Sequence, residues 1–195
     1  DNLNLHEDLL EGTYLYGYKK PSTIQINGIQ ALNTGKDCLL QSQSGTGKTA
    51  TYLLGIMNRI DYNNKLQGII LSPTRELSEQ VYDVSLKLSV KTDIKITKCI
   101  GGTKIYETKK NIKNSNLVIG TIGRIKHMIQ EKIIKTENIK LIVLDEADNM
   151  LIDGLTDDLK FIFNILPKNK QVCLISATLS KNVFLFSKNL MDDPI

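Results

Sequence analysis

The sequence predicts an α/β domain with a mostly parallel central sheet and helices on both faces. Three observations predict it. Short runs that are apolar at every position recur along the chain, amphipathic stretches separate them, and chemically distinctive residues stand directly after the runs. Strands that are apolar on both sides belong in a sheet covered on both faces, the arrangement typical of parallel sheets.

The elements follow in order. Cys38-Leu39-Leu40 is the first run and leads through a glycine-rich turn into a helical segment near 48–59. Gly68-Ile69-Ile70-Leu71 is next, followed by Leu77, Val81, Val84 and Leu88 on one helical face. Residues 94–100 read as another strand. Leu117-Val118-Ile119 precedes Ile122, Ile125 and Ile129, again at helical spacing. Leu141-Ile142-Val143-Leu144 is apolar throughout, and Leu155, Leu159, Ile162, Phe163 and Leu166 form a further stripe. Val172-Cys173-Leu174-Ile175 is the last strand, with a helix predicted after Ser180. The stripes are core. In such folds ligands gather beyond the carboxyl ends of the strands. Chemistry is therefore expected at 42–49, 72–77, 101–102, 121–124, 145–148 and 176–178.

A chain of 195 residues has single-domain length and can bury a sizeable core. No apolar run approaches membrane-spanning length. The opening Asp1-Asn2-Leu3 has no basic stretch ahead of an apolar core, so no secretory signal is expected and an intracellular site, nuclear or cytoplasmic, is. A net charge of +4 permits a nucleic-acid partner without requiring one, because surface lysines also serve solvation. Cys38, Cys99 and Cys173 lie in or beside strand-like runs with no CxxC pair, and read as small buried hydrophobes. His6 and His127 suggest no metal site.

Ser42-Gln43-Ser44-Gly45-Thr46-Gly47-Lys48-Thr49 follows a strand and opens a helix. Its glycines let the backbone wrap a phosphate chain with N–H groups aimed inward, and the helix N-terminus adds positive potential. Lys48 is placed to reach β- and γ-phosphates, and the Thr49 hydroxyl to bind Mg²⁺. Ser42 stands where the general phosphate-loop pattern has glycine. An ordinary loop and cap is the competing interpretation, which the strand–loop–helix context disfavours.

Asp145-Glu146-Ala147-Asp148 directly follows the apolar run 141–144. A carboxylate at the end of a buried strand suits the second metal contact of a phosphate-loop site, so Asp145 is assigned to Mg²⁺ through water. Glu146 is the candidate for orienting and deprotonating an attacking water. Acids decorating a helix start would be the simpler account if Lys48 were not upstream.

With these residues in view, the sequence resembles the DEAD-box family of RNA-dependent ATPases, over essentially its whole length. Residues 16–25, Tyr16 to Gln25, resemble the family's Q motif. Residues 42–49 resemble motif I, in which the family commonly has alanine where Ser42 stands. Pro73-Thr74-Arg75-Glu76-Leu77 resembles motif Ia, and Gly101-Gly102 the glycine doublet. Thr121-Ile122-Gly123-Arg124 is similar to motif Ib, with Ile122 in place of proline. Residues 145–148 spell the DEAD motif, and Ser176-Ala177-Thr178 resembles motif III. Residues 41–51, 99–103 and 191–194 are most similar to the subgroup of translation initiation factor 4A and its exon-junction paralogue.

The resemblance implies a RecA-like fold, with residues 1–195 as the first, ATP-binding domain and a second RecA-like domain outside the chain. It implies that Gln25 reads the adenine edge, that Tyr18 stacks on the base or serves as a core aromatic, and that Lys20 and Pro21 complete this pocket. It implies that Pro73, Thr74, Arg75, Gly102, Thr121, Gly123 and Arg124 hold the RNA backbone without reading sequence. For Arg75 and Arg124 a solvated helix-start charge remains the alternative. Ser176 and Thr178 are implied to bond to the DEAD segment and, with Asp148, to link ATP state to domain closure, while also suiting a cap of the following helix. ATP and Mg²⁺ are the implied cofactors; RNA, the second domain and accessory translation or RNA-processing proteins are the implied partners. The implied activity is ATP-dependent RNA unwinding, with an ATP-dependent RNA clamp as the alternative. The chain alone is expected to hydrolyse ATP poorly, because the family's arginine fingers, each typically contributing about 10³–10⁵ in rate, come from the other domain.

Overall fold

The computed structural model describes residues 3–43, 45–63, 65–152 and 154–195. A six-stranded sheet forms its centre, in the order β1-β6-β5-β2-β4-β3. The strands are β1 (Cys38–Gln41), β2 (Gly68–Ser72), β3 (Ile96–Cys99), β4 (Leu117–Thr121), β5 (Leu141–Leu144) and β6 (Gln171–Ser176). Every pairing is parallel. The sheet thus goes beyond the expected mostly parallel arrangement.

Burial explains the sequence pattern. The inner strands β2, β5 and β6 are buried at every position, whereas the edge strand β3 alternates buried with half-buried residues. Side chains alternate between two cores. Ile69, Leu71, Val118, Ile142, Leu144, Val172 and Leu174 face one core. Ile70, Leu117, Ile119, Leu141, Val143, Cys173 and Ile175 face the other.

Helices cover both cores. The second core lies under α1 (Glu7–Leu15), α2 (Thr23–Asn33), α3 (Lys48–Met57) and α4 (Arg75–Leu88). The first lies under α5 (Ile105–Ile112), α6 (Ile122–Gln130), α7 (Ala147–Ile152), α8 (Thr156–Ile165) and α9 (Lys181–Leu190). The helix expected over 48–59 ends at Met57, and the strand expected over 94–100 is confined to Ile96–Cys99, with Ile94 buried just outside it. Helices α1, α2, α5 and α7 carry no stripe recognised in the sequence.

Two close approaches fix the packing. A methyl group at Gly120 would lie 2.0 Å from the Cys99 carbonyl oxygen, and one at Gly12 would lie 2.0 Å from the Leu88 carbonyl oxygen. Backbone cannot yield as a flexible side chain can, so both positions demand glycine. The three cysteines are buried and unpaired. No helix among the described residues is long and apolar enough to cross a membrane.

Candidate nucleotide site and nucleic-acid face

Because all six strands run the same way, every segment marked as chemically distinctive emerges at one edge of the sheet. The strand order then divides that edge. β1, β6 and β5 are neighbours, so 42–49, 176–178 and 145–148 share one half. β2, β4 and β3 are neighbours, so 73–75, 121–124 and 101–102 share the other.

The loop after β1 turns on glycine. Gly45 and Gly47 have φ of 80° and 98°, the left-handed region that side chains rarely occupy. Gly47 caps α3, so the first free N–H groups of that helix open onto the loop. Ser42 has a local reason: its hydroxyl hydrogen-bonds that of Thr46, which donates to the Gln43 carbonyl at 2.8 Å. Ser44, also assigned to the nucleotide, lies outside the described residues.

Helix α2 is fastened to this loop. The Ser22 hydroxyl donates to the Thr46 carbonyl at 3.2 Å, and the Ser22 N–H donates to Gln25 Oε1 at 2.8 Å. Gln25 is buried, with its amide nitrogen so close to Gly47 that a methyl there would lie 2.8 Å from it. One lone pair of its carbonyl oxygen is therefore engaged and one remains. Tyr18, Lys20, Pro21 and Gln25 line a recess of about 370 Å³ between α1 and α2, the lower range for a small-molecule pocket. Tyr18 leans on Tyr16 with ring centroids 4.8 Å apart.

Asp145 directly follows β5 and is 4% exposed. The Tyr52 hydroxyl donates to its Oδ2 at 2.6 Å. Burial pushes the Asp145 carboxyl up to about 6, and Glu146 adds to the rise, while the Tyr52 bond and the Lys48 charge oppose it. Lys48 thus acts on Asp145 across the gap between the loop and β5. The Tyr52 hydroxyl thus ties α3, which opens with Lys48 and Thr49, to Asp145. Tyr52, three residues after Thr49 on α3, reads in the sequence only as an apolar position. Its helical spacing from Thr49 is the one available signal.

Glu146 has φ of 55°, a conformation unusual for a side-chain-bearing residue and one that gathers at functional sites. Its Oε2 accepts a hydrogen bond from Asn149 Nδ2 at 2.8 Å. Asp148 Oδ2 accepts from the Thr178 N–H at 3.1 Å and from the Thr178 hydroxyl at 2.9 Å. Burial pushes the Asp148 carboxyl up, but the bonds from Thr178 outweigh it, and the net shift is downward. The Ser176 hydroxyl also donates to the Thr178 carbonyl at 2.6 Å. The cap of α9 is Ser180, not Ser176 or Thr178.

On the other half of the edge, Thr74 caps α4 by accepting from the Leu77 N–H at 3.2 Å, with Pro73 just before it. The exposed Arg75 lies against Gly101 and Gly102, the latter with φ of 89°. Thr121 occupies the N-cap of α6, followed by the buried Ile122 and by Gly123, which has open space around it. Ile122 thus starts the helix without proline by anchoring in the core. Arg124 is not simply solvated: its Nη2 donates to the Thr103 carbonyl at 2.7 Å and steadies the loop after β3.

A doubly wound parallel sheet with a glycine-turned loop at a helix N-terminus, facing a buried carboxylate, defines a phosphate-loop nucleotide-binding domain. The particular family follows from comparison with known proteins: the chain belongs to the DEAD/DEAH box helicases, whose family profile matches residues 22–186. It is 43% identical to the ATP-dependent RNA helicase eIF4A of Kluyveromyces lactis and 42% identical to that of Pyricularia oryzae, over the whole of this chain. The chain spans 50% of each of those relatives. The structure is similar to a DEAD box protein of the hyperthermophile Methanococcus jannaschii, with a TM-score of 0.94 and 37% identity over 98% of this chain and 53% of that one. It is likewise similar to S. cerevisiae Dbp5 bound to RNA and ADP BeF3, with a TM-score of 0.91 and 32% identity over 99% of this chain and 50% of that one.

Proposed function

We propose that this chain is the first RecA-like, ATP-binding half of an RNA-dependent ATPase that unwinds duplex RNA locally. It would act inside the cell, in nucleus or cytoplasm, with a second RecA-like domain and accessory translation or RNA-processing proteins. The observation that carries this reading is that α3, which opens with Lys48 and Thr49, is joined to Asp145 through the Tyr52 hydroxyl at the rim of a single sheet.

The residues suit ATP and Mg²⁺. Backbone N–H groups of the 42–49 loop and the α3 N-terminus would surround the phosphates, with the Lys48 ammonium on the β- and γ-oxygens. A hydroxyl and a carboxylate are hard oxygen donors, and two protein ligands with waters completing the shell match the habits of Mg²⁺. When bound, the ion would neutralise charge on the transferring phosphoryl group. Glu146 would orient a water and accept its proton, with Asn149 fixing one carboxylate oxygen so that the other is aimed. The recess beside Tyr18, Lys20, Pro21 and Gln25 would take the adenine.

Pro73, Thr74, Arg75, Gly102, Thr121, Gly123 and Arg124 form a contiguous strip of the other half-edge. Their hydroxyls, guanidinium groups and backbone N–H groups suit phosphate and sugar, which carry no sequence information. Asp148, held by the Thr178 N–H and hydroxyl, would tie the acidic segment after β5 to the segment after β6. The test is ATP hydrolysis by the full-length protein with and without RNA of mixed sequence. RNA should stimulate it, and Lys48→Ala should lower it by about two orders of magnitude or more. Hydrolysis indifferent to RNA, or untouched by Lys48→Ala, would overturn the proposal.

A further inference from the structure

We infer that Tyr52 is a positioning residue for the metal site, holding the Asp145 carboxylate in place through its buried phenol hydroxyl. The inference rests on the proposed assignment of Asp145 to Mg²⁺ and adds a residue to it.

Tyr52 lies one helical turn beyond Thr49 on α3 and is fully buried. A buried phenol must find a partner for its O–H, because leaving it unmet costs the full desolvation of the group. Many partners would satisfy that need. Here the hydroxyl donates to Asp145 Oδ2 at 2.6 Å. The bridge crosses from α3, which follows β1, to the end of β5, and β6 lies between those strands. It therefore joins two elements that are not neighbours in the sheet.

The geometry has a chemical consequence. A carboxylate at a strand end has free rotation about its terminal torsion unless something fixes it. The Tyr52 hydroxyl fixes Oδ2 and thereby sets the plane of the carboxylate. Hydrogen-bond partners of ligating groups orient the donors, and their loss typically weakens metal affinity about 10–100-fold. A phenol ring seated in the core is a rigid mount for this purpose, as a ligand-supporting group should be.

The experiment measures binding, not turnover. A fluorescent ATP analogue is titrated into the chain in EDTA, then at rising Mg²⁺, for the parent, Tyr52→Phe and Asp145→Asn. Tyr52→Phe keeps the ring and removes only the hydroxyl; thermal denaturation in EDTA reports whether it folds. The expected result is a Mg²⁺ requirement raised by about tenfold or more, with metal-free nucleotide affinity changed by less than about twofold. A Tyr52→Phe protein that folds and keeps the parental Mg²⁺ requirement overturns the inference. An Asp145→Asn protein with the parental Mg²⁺ requirement instead overturns the assignment of Asp145 on which it rests.

Discussion

Asp145→Asn should alter how the stability of the metal-free protein depends on pH. The Asp145 carboxyl is pushed up to about 6 in the folded chain, mainly by burial, with Glu146 adding to the rise. In the unfolded chain an aspartate titrates near 3.9. Between those values the folded state binds the extra proton, so stability falls as pH rises through this window. A difference of roughly two pH units corresponds to roughly 3 kcal/mol, fully lost above pH 6 or so. Other carboxylates bend the curve in the opposite sense, so the informative quantity is the difference between parent and variant. Asparagine keeps the shape and still accepts the Tyr52 hydroxyl through its carbonyl, while carrying no titrating proton. Urea denaturation of both proteins in EDTA, from about pH 4 to pH 7, should show the variant gaining on the parent by about 3 kcal/mol across the window. Parallel pH profiles would refute the argument that burial of Asp145 stores this energy.

Gly120→Ala should destabilise the sheet by about 1–3 kcal/mol, since its methyl would press on the Cys99 carbonyl of the adjacent strand; an unchanged urea midpoint would count against that contact. Thr178→Val removes the hydroxyl that donates to Asp148 and should raise the Asp148 carboxyl towards its ordinary range, as followed by NMR titration. Because the folded value is depressed, the parental bond contributes above the unfolded value and is lost as pH falls through the folded one; an unmoved titration would show that Thr178 is not its source.

The strands were legible because each inner one is apolar on both sides, and a parallel sheet buries both sides. The chemically active segments were legible for the same reason, since they stand where those runs stop. The helices that escaped notice have identifiable causes. The apolar pattern of α1 is broken by Gly12, whose presence is explained only by the Leu88 carbonyl against it. Helix α5 is rich in exposed lysine, and α7 is short and begins after the left-handed Glu146. Strand order was not legible at all. Nothing local to Leu117–Thr121 says that it lies between β2 and β3, yet that placement separates the two halves of the edge. Tyr52 was hidden because burial and function draw on the same side chain: the ring fills the core and the hydroxyl serves the rim. Ser42, a departure by type, proved locally satisfied through Thr46.

The fastening of α2 to the glycine loop has a mechanical meaning. Ser22, Gln25, Thr46 and Gly47 bind the start of one helix to the crest of a loop whose own backbone turns on two glycines. A base wedged beside Gln25 would tug on the same joint that shapes the cradle for the phosphates. Vacancy at one end of the nucleotide would then slacken the other, so that the base and the triphosphate are weighed together as a single key.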